Sequence, residues 1–309
     1  MTPPPALTLP SATAVQTHQL TESHRFDAEL AAILTQFQYR ADGIELTAVH
    51  DRPLSQAHLT SSTPGVATVY NADASLVFVC YEDRTHTTVN PIETALIEAL
   101  TTAIDYGSPS HAGSTTAGTQ PLGEGVSGNP SAQGSTSGAT GGTNATPDSP
   151  DKPDSNTAPT VGVVTPHNAQ RGALSRVLPA AVTANTVEKY QGGERDVIAV
   201  SATVSNPQFA RREAQFILNP RRLLVAISRS KALTIVVCST ALFEVAPRDG
   251  DRLAQGPLWA RLFTQAVGRD PTPAWAGSLG AFTGTTPNQH AAVPVAVYPS
   301  TVDTDREGQ

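Results

Sequence analysis

The sequence predicts an α/β fold in which a mostly parallel sheet carries helices on both faces. Three observations support this. Short runs such as Ser75–Tyr81 (SLVFVCY) and Asp196–Val200 (DVIAV) are apolar throughout, as strands buried on both sides are. Segments with helical spacing alternate with them. The ordered blocks, residues 18–106 and 160–268, each hold too few strands for a full sheet, so they are expected to fold together.

Taken in order, residues 1–17 read as a flexible N-terminus. Arg25 to Gln38 places Phe26, Leu30, Ile33, Leu34 and Phe37 at helical spacing. Ser75–Tyr81 is a strand. Asn90-Pro91 supplies an N-cap and a proline at the first helical position, and Ile92, Leu96, Leu100 and Ile104 mark one face of the helix that follows. In the second block, Val161–Val164 reads as a strand and Asn168–Leu178 as a helix with Ala169, Leu174, Val177 and Leu178 apolar. Asp196–Val200 is a strand, Leu223–Ile227 lies in a helix, and Leu233–Val237 is a β-branched strand. Leu258–Phe263 is expected to form a short helix packed on the core.

Between the blocks, residues 107–159 contain no Phe, Trp or Tyr, and their large apolar residues are Leu122 and Val126. Such a segment buries too little surface to offset ordering entropy, so it reads as a disordered Gly/Ser/Thr/Pro-rich insertion. Closing a longer loop costs little extra. Residues 269–309, with Pro271, Pro273, Pro287, Pro294 and Pro299, read as a disordered tail.

Composition sets further bounds. The 309 residues are 39% hydrophobic and 15% charged, with 23 Gly and 25 Pro, which fits a folded core joined to unstructured stretches. A net charge of −7 argues against a wholly basic nucleic-acid coat protein but leaves room for a local basic face. No run of 18 apolar residues is present, so no membrane partner is expected. The N-terminus lacks the charge and apolar pattern of a signal peptide. Cys80 and Cys238 lie in apolar strand-like runs and read as reduced thiols of a cytoplasmic protein. No CxxC pair or metal-ligand spacing of histidines occurs, so no metal site is expected.

Several segments resemble superfamily 1 helicases of the upframeshift-like group. VGVVTPHNAQRGAL (161–174) resembles that family's motif IV region, TANTVEKYQGGERDVIAVSATVS (183–205) its motif V, and NPRRLLVAISRSKALTIVVCS (219–239) its motif VI. ESHRFDAELAAIL (22–34) resembles the opening of the family's second RecA-like domain. The resemblance implies a RecA-like sheet of the P-loop NTPase type, here a second motor domain. GxxxxGK[ST] and the Asp-Glu dipeptide do not occur in the sequence, so the phosphate cradle and metal-holding carboxylates of a first motor domain are missing. ATP and Mg2+ would then bind only with a complementary Walker A/B half, which lies on another chain or has been lost.

By the same resemblance, Arg171 and Arg229 are the catalytic arginine fingers, and Arg25 is a third cation toward nucleotide. Gln191, Gly192 and Glu194 belong to the nucleotide-linked loop. Thr165 and Thr186 are donors to the phosphates of bound single-stranded DNA or RNA. Independently of the family, residues 207–232 carry Arg211, Arg212, Arg221, Arg222, Arg229 and Lys231 against Glu213. Such a stretch suits the phosphates of a nucleotide or of nucleic acid. Two functions remain open: a motor half acting with a partner half, and an inert nucleic-acid-binding or scaffolding remnant.

Overall fold

The computed structural model describes residues 21–49, 54, 58–60, 62–106, 158–190, 193–246, 257–285 and 289–301. The expected N-terminal flexible segment and nearly all of the expected insertion fall outside them. Two short strands, β1 (Glu22–Ser23) and β2 (Thr47–Ala48), pair in parallel on their own. The main sheet contains β3 (Leu76–Tyr81), β4 (Val161–Thr165), β5 (Thr183–Thr186), β6 (Arg195–Ser201), β7 (Ser230–Ser239), β8 (Trp275–Ser278) and β9 (Pro294–Pro299). Its spatial order is β5-β4-β6-β7-β3-β9-β8. The first five in that order run parallel, while β9 is antiparallel to β3 and β8 is antiparallel to β9.

The helices are α1 (Ala28–Phe37), α2 (Pro64–Asn71), α3 (Pro91–Thr102), α4 (Asn168–Leu174), α5 (Pro207–Arg212), α6 (Ala214–Ile217), α7 (Pro220–Ile227), α8 (Leu258–Val267) and α9 (Leu279–Thr283). Their starts follow local chemistry. Asp27 caps α1 by accepting from Leu30 N at 2.9 Å. The Asn90 side chain accepts from the amides of Ile92 and Glu93, and Pro91 opens α3. Helix α4 stops at Leu174, earlier than the expected Leu178, and the chain continues in turns. Pro179 disfavours helical geometry at Leu178.

Successive residues of β3 point to opposite faces. Leu76, Phe78 and Cys80 join a core with Leu30 and Ile33 of α1, Leu224 of α7 and Leu262 of α8. Val77, Val79 and Tyr81 join a second core with Val66 of α2, Leu96 of α3, Leu174 of α4 and Phe282 of α9. The two sequence blocks therefore share one sheet, with β3 of the first block between β7 and β9. Among the described residues no helix is long and apolar enough to cross a membrane.

The expected tail is corrected by the structure. Residues 269–301 contribute β8, α9 and β9, and β9 pairs with β3 from Val77↔Pro299 to Tyr81↔Val295. Pro294 and Pro299 stand at the two ends of β9, where a missing amide interrupts the ladder least. Val295 and Val297 are buried between them. A short apolar run closed by proline at both ends reads locally as loop, and its pairing with β3 makes it a strand.

Candidate functional site

Three sequence-predicted residues meet at the N-terminal ends of β6 and β7. Arg25 precedes α1, Glu194 precedes β6, and Arg229 lies between α7 and β7. The backbone closes around them, with Arg195 N donating to Arg229 O at 3.1 Å. Arg25 Nε donates to Glu194 Oε1 at 2.6 Å, and Arg25 Nη1 donates to Ser228 O at 3.2 Å. Arg229 Nε donates to Val225 O at 3.0 Å, which orients its fork from the end of α7. The Arg25 and Glu194 side chains are about one-third exposed, at 32% and 35%, so the ion pair still meets solvent. Burial and the neighbouring Arg25 lower the Arg229 pKa below the usual guanidinium value, and Glu194 partly opposes this. Two guanidinium groups therefore lie near one carboxylate at a single edge, with Arg25 bonded to it and Arg229 within its field. Such a cluster carries excess positive charge and planar forks suited to phosphate oxygens.

Tyr190, for which the sequence suggests no role, pins the loop that leads to this site. It is 4% exposed and stands over Gly162 in β4. A Cβ built on Gly162 would lie 1.6 Å from the tyrosine hydroxyl. Glycine inside an apolar strand marks such a close approach, and that was the available sequence signal. Gln191 and Gly192 lie outside the described residues.

Arg171 requires a correction. It is one turn into α4, which starts beyond the C-terminal end of β4 and packs beside α3. Arg229 precedes the N-terminal end of β7. With β4, β6 and β7 parallel and in register, the two arginines are separated by roughly 20 Å of strand, at about 3.3 Å per residue. They share no surface, so a paired role for Arg171 and Arg229 is withdrawn. Motif order along the chain does not reveal the end of the sheet at which each residue emerges.

Thr165 and Thr186 lie at the C-terminal ends of β4 and β5, and both are buried. The Thr165 hydroxyl shares a 2.9 Å hydrogen bond with that of Thr203. In this arrangement the Thr165 hydroxyl is committed to Thr203 and is not free for a phosphate, which corrects that expectation for Thr165. The basic stretch is only partly free: Arg222 stacks 3.8 Å above the Phe216 ring and pairs with Glu188.

A buried polar network that no sequence pattern marks lies at this C-terminal edge. Glu93, fully buried on α3, accepts from Tyr81 Oη at 2.7 Å, Ser201 Oγ at 2.5 Å and Thr203 N at 2.8 Å. Asn90 Nδ2 donates to Thr203 O at 2.9 Å, and Asn90 N donates to Gln170 Oε1 at 2.8 Å. Thr203 has a positive φ of 65°, a strained conformation for a β-branched residue. Bonds to its amide, carbonyl and hydroxyl hold it there. Nothing local marks Glu93, because a carboxylate in the first turn of a helix normally faces water.

Burial pushes the Glu93 carboxyl up to about 7 from 4.5, despite its three donors. The folded chain therefore holds a proton that the unfolded chain has lost over this window. Stability present below pH 4.5 is expected to fall as pH rises through 7, by about 3 kcal/mol from this group. Glu93→Gln should flatten that slope in urea-unfolding midpoints measured from acid to mildly alkaline pH. An unchanged slope in the variant would rule out Glu93 as its source.

A family model described as an AAA domain matches residues 150–241. The chain is similar to DNA polymerase alpha-associated DNA helicase A of Saccharomyces cerevisiae, with 34% identity covering 30% of this chain and 14% of the relative. It is similar to the Regulator of nonsense transcripts 1 homolog of Drosophila melanogaster, with 33% identity covering 25% of this chain and 7% of the relative. ATP-dependent helicase NAM7 of S. cerevisiae is 31% identical over 33% of this chain and 10% of its own length. The match thus spans a small part of each relative. The matched segment includes β4 to β7, the strands that Glu194 and Arg229 directly precede, and with these likenesses it supports a superfamily 1 helicase region in this part of the chain.

Proposed function

We propose that this chain is the second motor lobe of an ATP-dependent superfamily 1 DNA or RNA helicase. The observation that carries this reading is the convergence of Arg25, Glu194 and Arg229 at one edge of the sheet. In the proposed role Arg229 and Arg25 bracket the terminal phosphate of ATP held on a complementary lobe. Glu194 keeps Arg25 extended until the anion arrives and then shares it. The charge developing on the phosphate oxygens is stabilised by guanidinium groups that are already oriented, so little reorganisation is needed.

The donor set fits a phosphate and does not fit Mg2+. Among the described residues no group of three or more His, Cys, Asp or Glu could hold a metal, and the one carboxylate at the site is committed to Arg25. Any metal would belong to the partner lobe, which supports a requirement for a Walker-bearing half in trans. Single-stranded nucleic acid is the proposed second ligand, with Arg211, Arg212 and Arg221 as its candidate phosphate contacts.

The second reading is an inert nucleic-acid-binding or scaffolding remnant. It is favoured by the lack of GxxxxGK[ST] and Asp-Glu in the sequence. Purified chain should not turn over ATP alone. With a complementary Walker-bearing half it should, and single-stranded DNA or RNA should stimulate the rate. Turnover by the isolated chain at ordinary motor rates would refute the half-motor reading. Salt-sensitive nucleic-acid binding with no turnover in the mixture would favour the remnant.

A further inference from the structure

We propose that Cys80 and Cys238 form an oxidisable dithiol site that closes into a disulfide between β3 and β7 when the folded chain meets a peroxide. These are the two cysteines of the 309-residue sequence, and they come from opposite sides of the insertion. The fold makes them direct partners in the parallel β3–β7 ladder, Cys80↔Cys238. Both face the same core, beside Phe78 and Val236. Both are free thiols, 2% and 0% exposed.

Adjacent strands lie about 4.8 Å apart, and disulfides span Cα separations of about 4.4–6.8 Å. The pair therefore needs a small side-chain adjustment and no rearrangement of the sheet. The thiols are neighbours across the ladder, and the nearby Cys80 together with burial holds Cys238 well above the usual thiol range. Cys238 thus stays a neutral thiol beside its partner.

The chemistry balances with peroxide as the oxidant. The Cys80 sulfur attacks one peroxide oxygen, the O–O bond breaks, and Cys80 becomes a sulfenic acid as the other oxygen takes up the thiol proton and leaves as water. The Cys238 sulfur then displaces the hydroxyl from Cys80. The S–S bond forms, the S–O bond breaks, and a second water leaves with the Cys238 proton. The two thiols give up two electrons, which reduce one peroxide to two waters. Contact with Cys238 captures the sulfenic acid before further oxidation, and burial excludes thiols of other molecules. The product staples β3 of the first block to β7 of the second across the seam where the blocks join. This inference stands on the ladder register and does not depend on the motor reading.

The test treats the folded full-length chain with hydrogen peroxide, unfolds it in an alkylating agent and measures its intact mass and peptide map. The expected product is a monomer that has lost two hydrogens, takes up no alkyl group and yields one linked peptide pair containing Cys80 and Cys238. Dithiothreitol should restore two alkylatable thiols. Cys80→Ser and Cys80→Ala should each abolish the linked product. Two alkylatable thiols persisting through excess peroxide would overturn the proposal. So would oxygen addition at either cysteine without linkage, or a disulfide between chains.

Discussion

Ending the chain at Gly268 is expected to abolish cooperative folding, although the deleted residues contain no part of the candidate site. The deletion removes β8, α9 and β9 and turns β3 from an interior strand into an edge. It strips Leu279, Phe282, Val295 and Val297 from the second core, all at most 2% exposed. It also removes Ser300, whose hydroxyl donates to Glu29 Oε1 at 2.6 Å and whose amide donates to Leu76 O at 2.8 Å. Truncating one buried Phe or Leu costs about 2–5 kcal/mol, and a whole domain is stable by about 5–15 kcal/mol. Losing one such Leu and one such Phe together with two buried valines and a strand ladder exceeds that margin. Circular dichroism melts would decide the matter: a cooperative transition near that of the intact chain in the truncated form would show that this segment is dispensable.

Replacing Arg229 with Ala in the chain assembled with a complementary Walker-bearing half is expected to lower ATP turnover by about 10³–10⁵-fold, the range for lost arginine fingers. Arg25→Ala should fall in the same direction, because Arg25 lies at the same edge and interacts with Arg229. Arg229→Lys should recover little, since an ammonium lacks the planar fork. Arg171→Ala is the internal contrast and should leave turnover within a few-fold, because α4 places it at the other end of the strands. Binding of single-stranded nucleic acid should persist in all four variants. A large loss with Arg171→Ala and none with Arg229→Ala would reverse the assignment of the site edge.

The parts of the fold legible in the sequence were those with a strong local cause. SLVFVCY and DVIAV are continuous apolar runs, and each became a strand buried on both faces. Asn90-Pro91 states its own helix start, which the structure places there. PVAVYP carries a weak pattern and conflicting prolines, and its strand identity comes from β3. Glu93 has no local mark at all. Its burial results from Ser201, Tyr81 and Thr203 converging from β6, β3 and the turn after β6.

The candidate site divides in the same way. The family resemblance of the motifs selects Arg25, Arg171, Glu194 and Arg229 as the charged members of a set that also holds Gln191, Gly192, Thr165 and Thr186. Tertiary structure alone sorted them, because a residue before a parallel strand and one beyond its end are separated by the whole strand length. Arg25 and Arg229 are far apart in sequence, yet they lie near one carboxylate, because Arg25 reaches Ser228 and Glu194 while the backbone of Arg229 joins that of Arg195. Sequence determined which side chains carry charge, and the direction of the strands decided which of those charges meet.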